Sequence, residues 1–195
     1  MESNLFFEGP VRTGKSTALR RALLPYLSDL GGFVVQRLLD SDGIPTAYRL
    51  ICMDEVRQTK EGAEELFLSV DAPYPKTDAD AASNIFLWIT PRRFDTNVFD
   101  SYGVECLRNV GKNKIILLDE VGGVDLLSSR FRTQVTSLLN GPDPCIGIIK
   151  ELEKARDAQS FNREFRAFLN VQQISNEDLS RVPSLVNAFL LSQGF

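Results

Sequence analysis

Gly9, Gly14, Lys15 and Ser16 stand in the order Gly-x-x-x-x-Gly-Lys-Ser, the spacing of a loop that cradles phosphate. Each residue type has a physical task. The glycines let the backbone curl until successive N–H groups face one anion. The helical pattern that opens at Ser16 would turn its positive N-terminal end on the same charge. The Lys15 ammonium can reach the outer phosphates as a point charge. The Ser16 hydroxyl is a hard oxygen suited to Mg2+. On this reading the nucleotide-binding stretch comprises Gly9, Pro10, Val11, Arg12, Thr13, Gly14, Lys15, Ser16 and Thr17. Val11 and Arg12 are large for such a loop. Two roles for Arg12 stay open: a solvated side chain, or a cation beside the terminal phosphate.

A second chemical feature lies about a hundred residues on. Four consecutive apolar residues, Ile115 to Leu118, run into Asp119 and Glu120. If the run is a buried parallel strand, both carboxylates reach the edge of the sheet where ligands collect. Asp119 would share Mg2+ with Ser16, through a water. Glu120 would orient an attacking water or take its proton. Lys15 and Glu120 are therefore the candidate catalytic pair. The competing reading is two solvated acids at a strand end. Arg92, Arg93, Arg130 and Arg132 are expected mainly on the surface.

The elements that must position these groups follow from periodicity. The run 4–8 predicts a strand leading into the loop. Leu19, Ala22 and Leu23 share one face of the helix behind it, and Pro25 ends or kinks that helix. Two β-rich runs flank Asp42-Gly43, which predicts a hairpin. Residues 54–84 read as a loop-rich connection. The run 84–90 predicts a strand stopped by Pro91. Phe131, Val135, Leu138 and Leu139 predict a helix ended by Gly141-Pro142. "CIGII" predicts a strand. Phe161, Phe165, Phe168 and Leu169 predict another helix, as do Val182, Leu185, Val186, Phe189 and Leu190. Such alternation implies one α/β domain over 1–195: a mostly parallel sheet with helices on both faces and an added β-hairpin.

Bulk composition narrows the function. The 195 residues carry a net charge of −4, which argues against non-specific nucleic-acid binding. No apolar run is long enough to cross a bilayer. A basic segment ahead of a long apolar core is also lacking at the start, so a cytoplasmic location is expected. The chain has no histidine, which excludes Ser-His-Asp chemistry. Cys52, Cys106 and Cys145 lie far apart and are expected as small buried side chains rather than zinc ligands.

With these motifs in place, the chain resembles the THEP-type nucleoside triphosphatases, small P-loop proteins related to the RecA and AAA+ branch. The carriers are "GPVRTGKST", the "GGF" strand with its hairpin, "YGVECL", "LLDEVGGVDLLSSRF" and "CIGIIK". The resemblance implies a three-layer P-loop NTPase fold. It also implies Mg2+-dependent hydrolysis of nucleoside triphosphates to diphosphates, often with broad base preference. Lys15, Ser16, Asp119 and Glu120 match the positions that carry that chemistry. Val11 and Arg12 replace the family's usual Pro-Gly, and Asp125 stands for Glu. A small-molecule or nucleotide kinase would also use a phosphate loop, but the adjacent Asp-Glu suits water activation better. A guanine-reading switch is disfavoured, because Asn113-Lys114 is followed by Ile115-Ile116. A nucleotide-binding scaffold with little catalysis is the remaining alternative.

Overall fold

The computed structural model describes residues 3–75, 84–108, 110 and 114–195. The chain opens with β1 (Asn4–Glu8), and the glycine loop leads into α1 (Lys15–Leu23). Pro25 does end α1: a 3-10 segment, Leu24–Asp29, carries the chain to β2 (Leu30–Leu39). The predicted hairpin forms between β2 and β3 (Pro45–Cys52), with Gly43 at φ 75° in its turn.

The connection read as loop-rich is partly folded. It holds α2 (Met53–Gln58), α3 (Ala63–Leu68) and β4 (Asp71–Pro73). Its remainder, 76–83, lies outside the described residues. Next come β5 (Ile85–Trp88), β6 (Arg93–Phe94) and α4 (Val104–Arg108), the last preceded by a π-turn over Phe99–Gly103. Then follow β7 (Ile115–Val121), α5 (Ser129–Leu139), β8 (Cys145–Ile149), α6 (Gln159–Arg166), β9 (Val171–Gln173) and α7 (Val182–Ser192). The helix predicted through Leu169 stops at Arg166, because the chain must extend to pair β9 with β1.

The strands form one sheet in the order β6-β5-β3-β2-β7-β8-β1-β9, with β4 on β2. Among the described residues, five of its eight pairings are parallel and three, all on the hairpin side, are antiparallel. Side-chain alternation divides the core in two. Leu5, Phe7, Ile115 and Leu117 pack with Leu19 and Leu23 of α1 and Val186 and Leu190 of α7. Phe6, Ile116 and Leu118 pack on the other face with Phe131, Val135 and Leu139 of α5 and Phe165 of α6. Burial on both faces explains why β1 and β7 read as unbroken apolar runs. No helix among the described residues is long and apolar enough to cross a membrane.

The cysteines correct one expectation. All three are buried, but Cys52 and Cys106 are joined by a disulfide with their Cα atoms 5.1 Å apart. The bond ties the end of β3 to α4. A separation of 54 residues hid the pairing from sequence reasoning.

Candidate active site

The phosphate loop sits where β1 ends and α1 begins. Glu8, the last residue of β1, takes both arms of Arg166 and the amide of Gln173. Burial pushes its carboxyl up, but those hydrogen bonds outweigh burial and hold it below the usual range. A side chain at Gly9 would run into the carbonyl of Ile174 just past β9, so only glycine fits there. Gly14 caps α1 at φ 91°, a left-handed conformation that glycine adopts without steric cost. Lys15 folds back on its own loop, donating to the carbonyls of Gly9 (2.8 Å) and Pro10 and to Thr13 Oγ1 (3.2 Å). Its burial lowers the ammonium pKa, against the pull of Glu120, Glu151 and Glu8. A loop that already gathers acceptors around one lysine is arranged to release it to a stronger anion.

The opposite wall comes from β7 and β8. The ladder between them is interrupted between Leu118 and Val121, and Glu120 sits there at φ 63°. A non-glycine residue in this conformation costs about 1 kcal/mol, and such strain gathers at functional positions. Glu120 lines a cleft of about 200 Å3 together with Gly9, Val11, Arg12, Thr13, Gly14, Lys15, Ser16 and Thr17. Arg37 and Tyr48 from the hairpin and Lys150 and Glu151 after β8 complete the wall. Burial raises the Glu120 carboxyl pKa; Lys150 pulls it down, Asp119 adds to the rise, and Lys15 and Arg37 pull more weakly. Four cations and two acids therefore face one concavity, which suits a polyanion.

Asp119 is placed differently from expectation. It lies on the α1 side of β7, 1% exposed, and does not line the cleft. Arg20 of α1, fully buried, donates to Asp119 Oδ2 from Nε at 3.0 Å and again from Nη2. The same guanidinium donates to the carbonyls of Phe67 (3.2 Å), Ser69 (3.0 Å) and Val35. One arginine thus fastens α1, β2, the end of α3 and β7 to each other. Asp119 Oδ1 is left buried without a hydrogen-bond partner. Such an orphan carries a desolvation cost, and a hydrated cation would satisfy it.

Past β7, Asp125 accepts the N–H groups of Gly122 (3.0 Å) and Gly123 (2.6 Å), closing the turn that follows Glu120. Burial raises its carboxyl pKa to about 6 from an ordinary 3.8, despite those two hydrogen bonds. A raised acid pKa favours the folded state at low pH, and that advantage disappears as pH climbs through the folded value. Asp125 is therefore expected to remove roughly 3 kcal/mol of stability between pH 4 and pH 7. Urea unfolding of wild type and Asp125→Asn across that range checks it. Identical pH slopes in the two proteins would contradict the assignment.

Of the loop residues singled out from sequence, all but Pro10 line the cleft, and Pro10 contributes its carbonyl to Lys15. The other arginines are engaged elsewhere or lie away from it. Arg92 pairs with Asp157, and Arg93 stacks on Trp88. Arg132 stacks on Phe161, while Arg130 lines a separate recess beside α4. Sequence reasoning missed Arg20, Arg37, Tyr48 and Lys150. Lys150 had a signal as the charge that ends the apolar run of β8, and Arg20 had one in its helical spacing from Ser16 and Leu23.

The sequence model of a family described as NTPase matches residues 4–184. Nucleoside-triphosphatase THEP1 of Thermotoga petrophila is 24% identical over 148 residues, which cover 75% of this chain and 72% of that protein. Two solved structures share the fold. THEP1 from Aquifex aeolicus superimposes with a TM-score of 0.64 at 16% identity, over 96% of this chain and 98% of that one. A human cancer-related nucleoside triphosphatase gives 0.63 at 17% identity, over 95% and 96%. With the phosphate loop, the acidic end of β7 and the cleft between them all in place, the chain belongs to this NTPase family.

Proposed function

We propose that the protein is a Mg2+-dependent nucleoside triphosphatase that hydrolyses ATP, GTP and related triphosphates to diphosphate and phosphate. The observation that carries this reading is the convergence of Lys15 and Glu120, from two separate strand ends, on one cleft of net positive charge. The loop from Gly9 to Thr17 binds the phosphates through backbone N–H groups and the α1 N-terminus. Ser16 at the cleft and Asp119 behind it would hold Mg2+, Asp119 through a water. Both offer hard oxygens, and Asp119 Oδ1 is a buried acceptor that lacks a partner. Bound there, Mg2+ would neutralise charge on the β- and γ-phosphoryl oxygens.

Glu120 holds the attacking water and accepts its proton. An oxygen–phosphorus bond forms at the γ-phosphorus as the bond to the bridging oxygen breaks. The diphosphate departs with that electron pair. Lys15, released from its loop carbonyls, meets the charge that develops on the leaving side. A base resting on the apolar patch of Val35, Val70 and Ile149 would be held by contact, which supports tolerance of several bases.

Phosphate release from ATP, GTP, CTP and UTP, with Mg2+ or with EDTA, tests the proposal. Turnover of several triphosphates that EDTA abolishes is the expected result. Transfer of the γ-phosphoryl group to an added acceptor, instead of to water, would replace hydrolase by kinase. Turnover unaffected by EDTA would remove Mg2+ from the scheme.

A further inference from the structure

Arg12 is held in a left-handed backbone conformation, φ 65°, within the phosphate loop. A glycine would adopt that conformation without penalty, so the arginine carries a local steric cost. Its side chain is exposed at the rim of the cleft, in the wall that also holds Lys15 and faces Glu120 and Lys150. Its charge reaches Tyr48 on β3, on the far side of the cleft. Of the neighbouring cations, Arg37 grips Asp71 with two hydrogen bonds and Lys15 grips its own loop, while Lys150 faces the Glu120 carboxylate electrostatically. Among the described residues no hydrogen bond or ion pair engages the Arg12 guanidinium. Its five donors are thus available to an anion entering the cleft, in a planar fork matched to phosphoryl oxygens.

We propose that Arg12 is a catalytic residue, a cation that the phosphate loop itself presents to the γ-phosphoryl group. The proposal rests on the hydrolysis reading above. Arg12 exchanges no proton and forms no bond in the reaction. The water oxygen bonds to the γ-phosphorus, its proton passes to Glu120, and the electron pair of the broken bond stays on the diphosphate. Arg12 acts on the charge that spreads over the bridging and γ-oxygens as this happens. Arginines placed in this way act far more on the transition state than on bound substrate.

The test compares wild type with Arg12→Gly and Arg12→Asn. Glycine suits the left-handed loop, and asparagine tolerates it without a charge. Both variants are expected to lose kcat on the order of 10²-fold, while affinity for the nucleoside diphosphate changes less than about threefold. The melting temperature of Arg12→Gly should equal or exceed that of wild type. Formation of the diphosphate–aluminium fluoride complex, which mimics the transferring group, should be lost in both. Wild-type kcat in either variant overturns the proposal, as does an equal loss of kcat and diphosphate binding. A wild-type protein that binds triphosphate without hydrolysing it overturns the hydrolysis reading as well, which separates the two failures.

Discussion

Glu120→Gln is expected to bind nucleoside triphosphate as tightly as wild type but to release phosphate about 10²- to 10⁴-fold more slowly. Lys15→Ala is expected to fail earlier, at binding. The division follows from where each group sits. Lys15 opens α1 and supplies charge to phosphates already present in the ground state, so its loss removes binding shared by ground and transition states. Glu120 stands on the opposite wall, at the end of β7, and has no part in the loop's hydrogen bonds. Burial makes its carboxylate a better base than an exposed one. Glutamine keeps the shape and loses only the capacity to accept a proton. Equilibrium binding of a non-hydrolysable triphosphate, beside single-turnover phosphate release, separates the two effects. Hydrolysis at wild-type rate in Glu120→Gln would remove the general base from the scheme and favour a nucleotide-binding scaffold.

The phosphate loop and the acidic strand end were legible because each is a local pattern. A glycine spacing, a strand before it and a helix after it need no knowledge of distant contacts. The two-faced core was legible for the same reason, since apolar runs in β1, β7 and β8 mark strands buried on both sides. The order of strands was not. Alternation of strand and helix predicts a parallel sheet, but nothing local says that β8 inserts between β1 and β7. That insertion brings Ile148, Ile149 and Lys150 into the wall of the cleft that Lys15 and Glu120 line.

The elements missed are the short ones. The helices α2 and α3 have six residues each, fewer than two turns, too few for a 3.6-residue period to show. Strand β9 is three residues with two glutamines, and pairing to β1 alone makes it a strand. Glu120 carries a different lesson. Sequence reasoning assigned Glu120 and Asp119 different roles but the same place, the ligand-binding edge of the sheet. The interrupted ladder and its left-handed backbone send the two carboxylates to different surroundings, one into the cleft and one beneath α1.

Arg20 was the largest gap, and it leads to the second prediction. Arg20 follows Ser16 by four residues and precedes buried Leu23 by three, so spacing alone puts it on the inward side of α1. Sequence reasoning followed only the apolar residues Leu19, Ala22 and Leu23 on that helix and passed over Arg20 between them. Arg20→Met is expected to cost about 3–5 kcal/mol of unfolding free energy, since it strands a buried Asp119 without its counter-charge. For a chain of this length that lowers the melting temperature by roughly 10 °C or more. Asp119→Leu should be costly for the converse reason. The double variant Arg20→Met/Asp119→Leu removes both charges, and its cost should fall well below the sum of the two singles. Thermal and urea unfolding of the four proteins gives that coupling, and strict additivity would show that the pair is not a unit. The pair also bears on the site. Arg20 occupies Oδ2 and leaves Oδ1 without a partner, so under the proposed mechanism Oδ1 would be the atom that accepts from the cation's water. Where Arg20→Met remains folded at low temperature, half-maximal turnover should therefore require more Mg2+, with triphosphate binding by the loop little changed. An unchanged Mg2+ requirement would confine Arg20 to stability and leave the orientation of Asp119 to β7 alone.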